Sequence, residues 1–345
     1  MNIPRRHFLQ NFSSGVAASS LAAAGFSYAA PLTMTKVFRI YMILFRGETE
    51  AEKGFCDYLA NRGIAVELIV RDVAQDLKKI PALIEEARAL KVDLIYTWGT
   101  SVTLAVVGKQ DGVDARKHVT DIPVVFINVA SPEASGLIHT RHSSGRNLTG
   151  TSHVVPLQLQ LQAIRAYRPL RPLKRMAVIY NSLEPNSVQV VKELRAASIK
   201  EHFQLHEIPV PLGNAGLAMA SSLPQLMAQV SQTAPDFLYL GPDSFIGANC
   251  KQVTALALQH RIAVFSATEV ALRDGKALFG LVSRYAAVGR LTARMAEQIL
   301  LQKLLPAQIP IETLTRFSYI VNMTVAAELD LYPPLKVINF AEIIA

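Results

Sequence analysis

The sequence predicts an α/β chain of two lobes, each built on a parallel β-sheet covered by helices. Three observations lead there. Strand and helix signals alternate from Lys36 onward, the pattern of repeated βα units joined by right-handed crossovers. The strand candidates are continuously apolar rather than alternating, which suits strands buried on both faces. Finally, 345 residues are long for one core. The polar, glycine-bearing run Ser143-Ser144-Gly145-Arg146-Asn147 reads as the approach to a second domain, with apolar periodicity resuming near Val154.

The first lobe opens with a strand candidate over Val37 to Phe45. A helix from about Thr49 to Arg62 follows, and Gly63 closes it as a C-terminal stop. Ile64 to Val70 is the next strand. Leu83, Ile84, Ala87 and Leu90 then fall on one face of a helix over Pro81–Leu90. Asp93 to Trp98 is a third strand, and Gly99-Thr100-Ser101 opens a helix toward Val107. The β-branched run from Ile122 to Val129, interrupted by Pro123 and Asn128, closes the series.

The second lobe repeats the rhythm. Strands are expected at Met176–Tyr180, Gln204–Val210, Asp236–Leu240, Ile262–Phe265 and Leu278–Val282. Helices are expected at Leu157–Tyr167, from Asn186-Ser187 to about Ile199, and at Leu217–Val230 and Cys250–His260. A long helix over Ala286–Gln302 carries Val288, Leu291, Met295 and Ile299 on one face.

Half of the residues are hydrophobic and 18% are charged, a composition of a well-buried globular protein. The net charge of +8 comes from scattered Lys and Arg, with no cluster of basics interleaved with aromatics, so no nucleic-acid partner is expected. Residues 1–29 read as an export signal: Arg5-Arg6, an Ala/Ser-rich apolar stretch from Phe12 to Ala24, and small residues around Ser27-Tyr28-Ala29 for cleavage after Ala29. Arg5-Arg6-His7-Phe8-Leu9 resembles a twin-arginine signal. A periplasmic location follows as the expectation. Cys56 and Cys250 are expected as two free, buried thiols rather than a bridge between lobes.

Enzyme motifs fail one at a time. Gly150-Thr151-Ser152-His153-Val154 lacks the final glycine of a nucleophile elbow, and Gly108-Lys109-Gln110 is not a phosphate loop. No Cys/His spacing suggests a metal, and no cofactor is expected. What remains is a recurrence of small polar residues just past strand ends, where open α/β sheets bind ligands. Gly99, Thr100 and Ser101 offer hydroxyls and backbone N–H groups for a carboxylate, and equally an ordinary N-cap. Asn128, Ala130 and Ser131 end the Ile122 strand, and Asn181, Asn186 and Ser187 follow the Met176 strand. Asp243 and Glu269 are carboxylates after strands, suited to an ammonium group. As a cleft acid, Asp243 is expected to matter for binding and little for stability.

These residues also carry a family resemblance. IPVVFINVASPEASGL, GRNLTGTSHVVPLQLQLQAI, MAVIYNSLEPNS, LYLGPDSF, IAVFSATE and LFGLVSRYAAVGRLTARMAEQIL resemble, in order, segments of the substrate-binding proteins of ABC importers, of the tryptophan-importer type. The resemblance implies the type I periplasmic-binding fold: two Rossmann-like lobes joined by three crossings, with the ligand between them. It implies lobe 1 over 36–153 plus about 284–308, and lobe 2 over 154–283 plus about 309–345. It also implies that the eleven strand-end residues named above bind ligand. Ser283-Arg284-Tyr285 stands where the family carries an acid, so Arg284 is expected to favour an anionic ligand. The implied partners are a small organic molecule, amino-acid-like or carboxylate-bearing, and an ABC permease, with the protein a monomer that makes and breaks no bond. A sensory subunit reporting to a membrane receptor is the alternative.

Overall fold

The computed structural model describes residues 36–168, 171–213 and 216–345. The export-signal reading of residues 1–29 lies outside the described residues.

The first sheet holds β1 (Phe38–Leu44), β2 (Val66–Asp72), β3 (Leu94–Trp98), β4 (Val124–Ile127) and β5 (Leu148–Gly150), all parallel, in the order β2-β1-β3-β4-β5. β3 and β4 are buried at every residue and β1 at all but Arg39, as continuous apolarity predicts for strands covered on both faces. Helices α1 (Glu50–Asn61), α2 (Ile80–Ala89) and α3 (Gly99–Val107) supply the crossovers. The start of α1 is a capping box in which Thr49 and Glu52 bond each other's backbone groups.

The second lobe contains β6 (Arg175–Tyr180), β7 (Gln204–Pro209), β8 (Phe237–Leu240), β9 (Val264–Ser266), β10 (Phe279–Val282), β11 (Ser318–Asn322) and β12 (Glu342–Ile344). Their order is β12-β11-β10-β9-β8-β6-β7, and only the β10–β11 pairing is antiparallel. Its helices are α4 (Leu157–Tyr167), α5 (Pro185–Glu201), α6 (Leu223–Gln232), α7 (Ser244–Ala248), α8 (Cys250–Gln259) and α9 (Val270–Arg273). The chain then returns to the first lobe as α10 (Tyr285–Leu300) and ends with α11 (Met323–Leu329) and α12 (Leu335–Ile338) in the second.

The chain therefore passes between the lobes three times. Two of the crossings run side by side: Ser152 N–H donates to Glu312 O at 2.9 Å and Glu312 N–H to Gly150 O at 3.2 Å. At the third, β10 runs into α10, which packs along α1. That contact needs glycine on both helices. A Cβ on Gly54 would lie 2.1 Å from Ala286 O, and one on Gly289 would lie 2.0 Å from Ala51 O.

The sequence-predicted helix over Leu217–Val230 starts later, at Leu223, after a turn of 3₁₀ helix at Ala220–Ser222. Pro224 is tolerated only in a first helical turn, which fixes the start. The elements β5, β11, β12 and α7 are three to five residues long, too short to show a period. Cys56 and Cys250 are free thiols, the first only partly buried.

The glycine contact yields a stability prediction. Gly289→Val must push α10 off α1 against backbone rather than a yielding side chain. Overpacking of this kind costs about 1–3 kcal/mol. A lowered thermal unfolding midpoint is expected, and an unchanged one would show that the helices can part freely.

Candidate functional site

The carboxyl ends of both sheets face one another, each with a reversal of strand order, between β1 and β3 in the first lobe and between β6 and β8 in the second. Between them lies a cavity whose empty space, counted together with the solvent it opens onto, is about 390 Å³. Its wall is assembled from residues just past eight strands. The first lobe contributes Arg46 after β1, Trp98, Gly99 and Thr100 after β3, Asn128 and Ala130 after β4, and His153 after β5. The second contributes Asn186 after β6, Pro242, Asp243, Ser244 and Gly247 after β8, Thr268 and Val270 after β9, and Tyr285 after β10.

Local backbone geometry explains several of these. Gly99 joins β3 directly to α3 with φ +78°, a left-handed conformation that favours glycine. Asn128 adopts φ 56°, which asparagine tolerates better than most residues. This turns its side chain into the wall, where both Oδ1 and Nδ2 are buried without a partner among the described residues. Trp98 Nε1, His153 Nδ1 and Asn186 Oδ1 are buried and unpartnered as well. The other amide atom of Asn186, Nδ2, donates to Pro242 O at 2.7 Å.

Of the residues read from the sequence, the structure brings Gly99, Thr100, Asn128, Ala130, Asn186 and Asp243 to the wall. Ser101 and Ser131 do not line it. Asn181 and Ser187 stand behind it and hold Asp243: Asn181 N–H and Ser187 Oγ–H each donate to Asp243 Oδ2 at 2.7 Å, and Ile246 N–H donates to Oδ1 at 2.8 Å. Glu184 completes this bracket, accepting from Ser244 N–H at 2.8 Å and Phe245 N–H at 3.1 Å. Asp243 is thus a helix cap and a tie between the β6 and β8 loops, so the expectation that it matters little for stability is corrected.

Glu269 faces a neighbouring cavity at the rim with Glu48, Lys53 and Arg273. It accepts from Tyr285 N–H at 2.5 Å and pairs with Arg284 at 2.8 Å. Arg284 is also paired with Glu342 and does not line the cavity, so the expectation that it makes the cleft anion-selective is corrected too. The cation in the cavity is Arg46. Its Cζ lies 5.1 Å from the centre of the Trp98 ring. Its Nη1 sits 2.4 Å from where a Cβ on Gly247 would be, so it spans the cleft from one lobe to the other. Arg46 and His153 were missed by sequence reasoning. The available signal was position alone: Arg46 follows β1, the one cavity-facing strand end in the first lobe whose loop lacks Ser, Thr or Asn near the strand.

Burial, then the Arg46 charge, push the His153 imidazole down to about 4, against a main-chain hydrogen bond to Asn128 that favours its protonated form. It is neutral at pH 7. Burial, then the Glu184 carboxylate, push Asp243 up to about 7, against its three hydrogen bonds.

Two outcomes follow for Asp243. Asp243→Ala leaves the Asn181 and Ile246 N–H groups unpartnered and should destabilise the protein by about 1–3 kcal/mol. Because the folded-state value lies above the ordinary 3.8, protonation of Asp243 favours folding. That contribution is complete below about pH 4 and is lost as pH rises through about 7. The thermal stability of the wild type should therefore fall between about pH 4 and 7 relative to Asp243→Asn. Parallel pH profiles would refute the assignment.

Comparison with known proteins places this architecture. A family model described as ABC transporter substrate binding protein matches residues 41–343. A tyrosine-binding protein of Clostridioides difficile (strain R20291) is 24% identical over 286 residues, covering 82% of this chain and 77% of its own. A conserved domain protein of Vibrio cholerae superposes with a TM-score of 0.77 at 19% identity, over 89% of this chain and 99% of that one. An ABC domain from Streptococcus pneumonia, solved in complex with L-Trp, gives 0.76 at 21% identity, over 90% of this chain and 100% of that one. Two lobes of parallel-dominated sheet, a cavity at their facing strand ends and a family match across nearly the whole described chain lead to one conclusion: the protein belongs to the ABC transporter substrate-binding protein family and has the type I periplasmic-binding fold.

Proposed function

We propose that this chain is an exported solute-binding protein that captures a small carboxylate-bearing or amino-acid-like molecule between its lobes and delivers it to an ABC permease. In this reading lobe 1 comprises residues 36–153 and about 284–308, and lobe 2 residues 154–283 and about 309–345. Ligand enclosure is the whole task, and no bond is made or broken. The observation that carries the reading is the set of buried, unpartnered polar atoms on the cavity wall: Trp98 Nε1, both amide atoms of Asn128, His153 Nδ1 and Asn186 Oδ1. A buried donor or acceptor without a partner costs about 1–3 kcal/mol. A polar ligand bonded to these atoms offsets that cost only when both lobes surround it, so binding favours closure by its differential affinity. The tyrosine and tryptophan ligands in the names of the two relatives above support a molecule of amino-acid size.

Mass spectrometry of the small molecules released from natively purified protein tests capture directly. Trp98 supplies the titration signal, being the only tryptophan of the chain. With its indole N–H unpartnered and Arg46 over its ring, its emission should change saturably as the released ligand is added back. Trp98→Phe should abolish the signal while calorimetric binding persists, weakened by up to about tenfold for one hydrogen bond. A calorimetric isotherm with no change in Trp98 emission would remove Trp98 from the site. For export, the intact mass of the periplasmic protein should lack residues 1–29, and a full-length protein confined to the cytoplasm would refute it.

A further inference from the structure

The charge balance of the cavity narrows the ligand. Most arginines near the cleft rim are matched: Arg273 and Arg284 pair with Glu269 and Glu342. Arg46 is different. Among the described residues it makes no hydrogen bond and no ion pair, although it is partly buried and lines the cavity. Its position is nevertheless defined, by the Trp98 ring on one lobe and by the bare Cα of Gly247 on the other. A guanidinium presents five N–H donors in a planar fork that matches a carboxylate in two parallel bonds.

The buried acids of the wall and its support are not available to balance an ammonium group in the same way, and Glu48 and Asp274 lie on the neighbouring rim cavity rather than on this wall. Asp243 receives three hydrogen bonds from its own lobe, and Glu184 receives two from the start of α7. Glu269 is bonded to Arg284 and to Tyr285 N–H and faces the rim. The remaining unpartnered groups of the wall among the described residues, Trp98 Nε1, both amide atoms of Asn128, His153 Nδ1 and Asn186 Oδ1, are neutral donors and acceptors. They suit a hydroxyl or an oxo group next to a carboxylate.

We propose that Arg46 selects the ligand by pairing with its carboxylate, so that the cleft takes small α-hydroxy or α-oxo acids in preference to the corresponding α-amino acids. This rests on the capture reading above and narrows it. Gly247 is part of the device, since any side chain there would occupy the space of the guanidinium.

The test is calorimetry and thermal shift on the mature chain with matched pairs sharing a side chain: 4-hydroxyphenyllactate against L-tyrosine, and indole-3-lactate against L-tryptophan, with lactate and pyruvate as small controls. At least one acid should bind about tenfold or more tighter than its amino acid. Arg46→Met should lower the affinity for that acid at least about tenfold and erase the preference, while Arg46→Lys, which keeps the charge without the fork, should fall between. Because Arg46 makes no hydrogen bond or ion pair among the described residues, Arg46→Met should still fold, its unliganded melting temperature lowered at most slightly by loss of the contact with the Trp98 ring. Should that variant fail to fold, Gly247→Leu displaces the guanidinium from the opposite lobe and should produce the same loss. Amino acids binding as tightly as the acids, or undiminished acid binding by Arg46→Met, overturns the proposal and leaves capture standing. Binding of neither member of any pair also overturns it. If, in addition, no small molecule is released from the native protein, the capture reading falls with it.

Discussion

The contact between α1 and α10 is the constraint on which the rest of the molecule hangs. Gly54 and Gly289 let the two backbones approach until each helix touches the other's carbonyl groups, and this fastens the returning chain to the first lobe. The start of α10 is consequently fixed at the mouth of the cleft, with Tyr285 in the cavity wall. Its first N–H is taken by Glu269, a carboxylate from the other lobe, rather than by a capping side chain of its own. One crossing is thus clamped to both lobes by specific groups, while the other two run beside each other as a pair of extended segments.

The second lobe meets the cleft with a rim that is rigid for a separate reason. Asp243 and Glu184 sit together at the start of α7, and their oxygens are bonded by backbone N–H groups and by Ser187. Two buried carboxylates repel, which raises Asp243, but the hydrogen bonds tie the β6 and β8 loops into one unit. The first lobe is organised differently. Its wall carries neutral groups that have no partner among the described residues and, in Arg46, a cation with no ion pair among them, all presented by strand ends. Most of the unpartnered polar groups therefore lie on the first lobe, with Asn186 Oδ1 on the second, while the second lobe's acids define the shape of its rim.

This division explains why the acids that look like ligand groups in the sequence are the ones already occupied. An Asp after a strand and before a short helix is as well suited to capping as to binding, and nothing in the local sequence separates the two uses. Only the distance from Asp243 to Ser187 and Asn181, which are 56 and 62 residues away along the chain, decides between them. Arg284 is a comparable case. It lies next to the cleft in sequence, but Glu342 from the C-terminal strand and Glu269 draw its guanidinium away from the cavity.

The sequence by itself determined the two-lobed α/β architecture, because buried parallel strands and one-faced helices write their periods into consecutive residues. It also placed its candidate residues at strand ends, and Gly99, Thr100, Asn128, Ala130, Asn186 and Asp243 lie on the wall of the cavity between the sheets. It did not show β5, β11, β12 or α7, whose few residues carry no period. Tertiary structure alone decided which polar groups are free and which are spent. Among the described residues, Asn128 is left unpartnered and Asp243 accepts three hydrogen bonds, Arg284 is paired and Arg46 is not. The reason is physical: a side chain's chemistry is local to its residue, but its hydrogen-bonding capacity is used up by neighbours that folding brings from elsewhere in the chain.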